Sequence, residues 1–133
     1  MHINCCIIGY RPFLRNVSAN LASILDELIR KHGVDTFYVG ESSALDPLFA
    51  TAVGKAKKKY PHIRLILVKE HPGKSQKKAL SKTLYDEIAF PGRENPLRWR
   101  VDRCDYVIRC GDWSRVHSAV RYAAQKGKQI FRL

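Results

Sequence analysis

The chain predicts an α/β fold: a mainly parallel sheet of about five strands inside a three-layer sandwich. Three observations carry this expectation. Short, continuous apolar runs, as in "CCIIG" and "RLILV", are the pattern of strands covered on both faces. These runs alternate with segments of helical periodicity, and such alternation gives parallel strands joined by right-handed crossovers. Glycine-bearing loops follow three of the strands, at Gly9, Gly40 and Gly111, where open sheets of this kind take their ligands.

The elements follow in order. "INCCIIG" is a buried strand stopped by Gly9. From Val17 to His32 apolar residues recur at Val17, Leu21, Ile24, Leu25, Leu28 and Ile29, which is one face of a helix, and Gly33 is its stop. "DTFYVG" is the second strand. "LDPLFATAVGKAKKKY" is a helix that Asp46 can cap, with Pro47 suited to its first turn. "IRLILV" is the third strand. Residues 69–94 are less regular, with "HPGK" and "FPGR" as turns and a short helix over Leu80–Ile88. A helix entered through Pro96 leads to the strand "DYVIRC". The helix "SRVHSAVRYAAQKG" and the strand "KQIFRL" follow. No repeat or linker divides these elements, so residues 1–133 are expected to form one domain.

Composition narrows the function classes. The chain is 45% hydrophobic, enough for a packed core. Twenty-four Lys and Arg against twelve Asp and Glu leave a charge of +12, which suits anionic partners such as nucleotides or nucleic acid and equally serves solubility. The four cysteines form no CxxC pair; Cys5 and Cys6 are adjacent within an apolar run, so buried reduced thiols in a cytoplasmic protein are expected. His32, His62 and His117 show no metal-ligand spacing, and no metal or other cofactor is expected. No run of apolar residues reaches membrane-spanning length, so no membrane partner is expected.

The stretch Gly9-Tyr10-Arg11 is the first candidate site. A glycine after a buried strand lets the backbone turn and approach a ligand; the next helix presents its N-terminal amides to a phosphate, and Arg11 adds a forked positive charge.

In order along the chain come "CCIIGYRP", "HGVDTFYVG" followed by Asp46, "YPHIRLILV", "RWRVDRCDYVI" and "A-x3-GK-x-I-x-x-L". This combination, from Ile3 to Leu133, resembles the SLOG superfamily, the Rossmann-like group that includes DprA/Smf and the LOG phosphoribohydrolases, and within it the small single-domain bacterial members. The resemblance implies a Rossmann-like sandwich, a pocket for a nucleotide or nucleotide-derived ligand at the strand ends, and a homodimer. Carried over residue by residue, it implies ligand contacts from Gly9, Tyr10 and Arg11, from Gly40 and Asp46, from Arg98 and Trp99, and from the loop Gly111, Asp112, Trp113 and Ser114. The chain also departs from the pattern. LOG enzymes carry PGGxGTxxE in the last loop, where this chain has "CGDWSRVHSA" without the double glycine or the glutamate. The segment Pro96–Arg100 has a proline where related small proteins have an arginine, and Arg93 or Arg100 are the alternatives for that charge.

Each residue has a plainer alternative. Glu41 follows the second strand and can grip ribose hydroxyls or attack an anomeric carbon, or be a solvated helix-entry residue. Asp46 is a ligand contact or a helix cap, and Trp99 stacks on a base or packs against the sheet. Asp112 would repel a phosphate, and Ser114 is a cap candidate. Ten cations between Lys55 and Lys82, broken only by Glu70, are a solvated face or a phosphate-backbone footprint, with Tyr60 and Tyr85 as the only interleaved rings. Three functions follow in order: a nucleotide-binding module, possible as a sensor; a hydrolase of N-glycosidic bonds in nucleoside monophosphates, with Glu41 as its carboxylate; and a single-stranded nucleic-acid binder.

Overall fold

The computed structural model describes residues 2–9, 16–41, 43, 45–69, 84–110 and 114–133. The described elements run β1 (Asn4–Gly9), α1 (Val17–His32), β2 (Thr36–Val39), α2 (Leu45–Lys59), β3 (Arg64–Val68), β4 (Glu87–Ala89), α3 (Pro96–Arg103), β5 (Tyr106–Cys110), α4 (Ser114–Gln125) and β6 (Gln129–Arg132). All six strands are parallel, in the order β4-β3-β2-β1-β5-β6. The expected α/β sandwich is present, with one strand more than expected and no antiparallel pair.

The extra strand corrects the end of the helix expected over Leu80–Ile88; Leu84 is helical, and residues 80–83 lie outside the described residues. Glu87–Ala89 instead pairs with β3, Ile66 opposite Glu87 and Val68 opposite Ala89. It lies at the sheet edge with Glu87 and Ile88 exposed, so it lacks the buried apolar run that marks the other strands.

Side chains alternate across the pleat. Cys5 and Ile7 of β1, Phe37 and Val39 of β2, Leu65 and Leu67 of β3 and Ile108 of β5 face one side. There they meet Leu21, Leu25 and Leu28 of α1 and Phe49, Ala50 and Val53 of α2, with Phe37 edge-on to Phe49 at 6.1 Å. Cys6, Ile8 and Val107 face the other side, against Val101 of α3, Cys104 and Ala123 of α4. The sheet is thus covered by α1 and α2 on one face and by α3 and α4 on the other. Helix ends follow their sequence signals. Gly33 closes α1 in the left-handed region at φ 72° and its N–H reaches the Leu28 carbonyl. Asn95 caps α3, accepting bonds from Leu97 N and Arg98 N, with Pro96 in the first turn.

From β1 the chain steps outward through β2, β3 and β4, then returns over the other face to lay β5 on the free side of β1. The helices after β1 and β5 therefore lie on opposite faces. That divergence places the topological switch point of the sheet at the carboxyl ends of β1 and β5.

Candidate functional site at the carboxyl edge of the sheet

At the switch point Gly9 pairs with Cys110. Gly9 has φ 145°, and a Cβ there would fall 2.0 Å from the Cys110 carbonyl oxygen. No other residue fits this seam. The Gly9 carbonyl accepts the Ser43 hydroxyl at 3.0 Å, which ties the end of β1 to the entry of α2.

Ser43 and Asp46 form a reciprocal cap on α2. Leu45 N–H donates to Ser43 Oγ at 3.0 Å, and Ser43 N–H donates to Asp46 Oδ2 at 3.1 Å. The expected capping role therefore falls to Ser43, while Asp46 sits inside the first turn as the acidic member of the box. The spacing Ser-x-x-Asp signals this in the sequence, where it went unread.

Across the end of β2 reaches Arg100, from α3 on the opposite face. Its Nη1 lies 4.0 Å from Asp46 Oδ1, and the two residues are 8% and 5% exposed. Gly40 makes the passage possible: a Cβ there would come within 2.5 Å of Arg100 Nη1 and 3.2 Å of Asp46 Oδ2. The bare backbone of Gly40 thus leaves room for this guanidinium. Glu41 continues the chain from Gly40. Half-buried Tyr85 lies within the field of both acids: burial first, then the carboxylates of Asp46 and Glu41, push its hydroxyl above its ordinary range.

Gly9, Gly40, Glu41, Ser43, Asp46 and Arg100 thus gather at one edge of the sheet, whereas Arg98 and Trp99 do not join them. Arg98 stacks over the Tyr122 ring at 4.9 Å and lines an open groove of about 290 Å³ between α3 and α4, with Asn95, Leu97, Val101, Ala119 and Tyr122. Trp99 packs edge-on to Tyr38 at 5.9 Å, and the Arg103 guanidinium covers it at 3.7 Å. Ser114 opens α4. Tyr10, Arg11, Gly111, Asp112 and Trp113 lie outside the described residues.

The basic stretch is partly neutralised where it is described. Lys57 pairs with Asp86, and Lys59 pairs with Asp26 at 3.2 Å. Tyr60 donates its hydroxyl to Asp26 at 2.6 Å, so it is not a free stacking ring. Among the described residues, Arg98 and Arg103 of α3, Arg121 of α4 and Lys126 just after α4 make no ion pair, and Lys126 also lies over Tyr122, at 5.6 Å.

All four cysteines are buried free thiols. Among the described residues no helix is long and apolar enough to cross a membrane. In comparison with known proteins, no family model and no curated protein matches the chain.

Proposed function

We propose that the chain is a SLOG-type module that binds a nucleotide or nucleotide-derived ligand at the carboxyl edge of its sheet, in the crevice between β1 and β5. The observation that carries this reading is the switch point itself: β1 and β5 are neighbours where Gly9 pairs with Cys110, and the helices that follow them lie on opposite faces. Gly9 keeps the end of β1 packed directly against the Cys110 carbonyl. The test is a thermal-shift screen with mononucleotides, nucleosides, NAD-derived compounds and short single-stranded DNA. A ligand confined to the folded state raises the midpoint with the logarithm of its concentration over its dissociation constant. A rise with a small nucleotide is the expected result; no rise with any of them would end the reading.

A second reading is single-stranded nucleic-acid binding, moved from the lysines of α2 to α3 and α4. It is favoured by the two guanidinium–ring stacks, Arg103 on Trp99 and Arg98 on Tyr122, because a stacked guanidinium keeps its N–H groups for phosphate and offers a plane to a base. Here the expected result is an affinity for single-stranded DNA that falls steeply with salt and is weakened more by Arg103→Ala than by Lys55→Ala. A salt-independent affinity would reject it.

A further inference from the structure

We infer that Arg100, and not Arg98, takes the anionic group of the ligand at this pocket, a phosphoryl-type oxyanion off the end of β2, with Asp46 as its positioning residue. This rests on the pocket reading above and deepens it.

Arg100 is more than nine-tenths buried, yet among the described residues its Nε and Nη1 have no hydrogen-bond partner. Leaving charged donors desolvated and unpaired costs more than leaving neutral ones so. The nearby carboxylate does not remove that cost: at 4.0 Å, Asp46 Oδ1 is beyond hydrogen-bond reach of Nη1, and Oδ2 already holds Ser43 N–H. A counter-ion serving only to neutralise Asp46 would close to the 2.7–2.9 Å typical of such charged pairs, about 1 Å nearer. The fold nonetheless goes to length to keep this guanidinium here. It is brought over from α3 to the opposite layer, and the end of β2 is a glycine where any side chain would strike Nη1. The arrangement holds a cation in place with donors unspent, beside the switch point.

The chemistry of those donors selects the ligand group. N–H groups on a permanent cation need lone pairs, and an ionised acceptor satisfies them best. Metal ions and ammonium groups are excluded by charge. Asp46 sits in the first turn of α2, where the helix amides favour an anion. It therefore fixes the guanidinium without consuming it. Arg98 is on the other side of α3, its plane already against Tyr122.

The experiment measures binding of the four ribonucleoside monophosphates, the matching nucleosides and inorganic pyrophosphate to the full chain, by calorimetry and thermal shift. Wild type is expected to bind a monophosphate more tightly than its nucleoside. Arg100→Met, which keeps length and loses charge, is expected to weaken the monophosphate about tenfold or more while the nucleoside is unchanged, the measure of one lost charge-assisted bond. Should that variant fail to fold, Arg100→Lys and Gly40→Ala carry the test, since the first keeps charge without the fork and the second displaces the guanidinium; both must reduce the preference for phosphate. Equal preference in wild type and in the folded variants overturns the inference and leaves the pocket reading standing. So does a loss seen with Arg98→Met alone. If wild type binds none of the probes, the pocket reading fails and the inference with it.

Discussion

Arg100 and Asp46 belong to opposite helical layers and meet over the end of β2, 4.0 Å apart and both more than nine-tenths buried. Their meeting joins the two faces of the sandwich at its carboxyl edge. Breaking such a pair from one side strands a buried charge, whereas removing both partners does not. Asp46→Asn, which keeps an acceptor for Ser43 N–H, is expected to cost about 3 kcal/mol. The double variant Asp46→Asn/Arg100→Met is expected to be more stable than Asp46→Asn alone. Urea unfolding of the four proteins gives the coupling energy; additive losses would show that the residues act independently.

Two glycines at this edge separate stability from binding. Gly9→Ala sets a Cβ 2.0 Å from a backbone oxygen at a φ that side chains rarely adopt, and is expected to lose about 3 kcal/mol in denaturant unfolding. Gly40→Ala meets only the movable end of Arg100, so about 1 kcal/mol is expected. Its larger effect falls on anion binding. Equal destabilisation by both would contradict the geometry.

Asp26 sets an acid limit. The Tyr60 hydroxyl, then Lys59 and Arg30, hold its carboxyl at about 2, below the unfolded value of about 3.9. A depressed carboxyl stabilises the fold above the unfolded value, and this contribution fades as pH falls from about 4 to 2. Tyr60→Phe is expected to raise the Asp26 titration midpoint, followed by carbon NMR, and to move acid unfolding to higher pH. An unmoved midpoint would remove the hydroxyl as the main cause.

Cys5, Cys6, Cys104 and Cys110 are no more than 1% exposed. A coloured thiol reagent is expected to find no reactive group in the native protein and four in denaturant. Fast reaction without denaturant would show that the core around β1 opens readily.

Much of this fold is legible in the residues because central strands of a parallel sheet are apolar on both faces. β1, β2, β3 and β5 advertise themselves that way, and Gly33, Asn95 and Pro96 mark helix ends. β4 does not, since three residues at an edge, two of them exposed, have no such pattern. The gathering of residues at the carboxyl edge is only partly legible. Gly9, Gly40, Glu41 and Asp46 are adjacent to strand ends and could be placed by counting. Arg100 is a candidate beside Arg93 and Arg98, but choosing among them depends on the rotational phase of an eight-residue helix. Residues two apart on a helix lie about 200° apart, so Arg98 and Arg100 face opposite sides of α3, one toward Tyr122 and the other toward Asp46. In a run reading Leu97-Arg98-Trp99-Arg100-Val101, long amphipathic side chains occupy both sides and hide that phase.

The placement of β1 also orders the life of the chain before it is folded. Asn4 N–H bonds to the Asp105 carboxylate, a partner 101 positions later, and the strand beside it is not complete until Cys110. During synthesis β1 therefore spends most of the time with β2 on one flank and an unmade ladder on the other. One face of β1 carries Cys6 and Ile8, whose covering residues Val101, Cys104 and Ala123 are all in the last third. A ribosome stalled before Tyr106 would present the middle strand of the finished sheet as a bare apolar edge, the kind that recruits foreign strands. The pairing of Gly9 with Cys110, and with it the switch point of the sheet, would be missing from the same fragment.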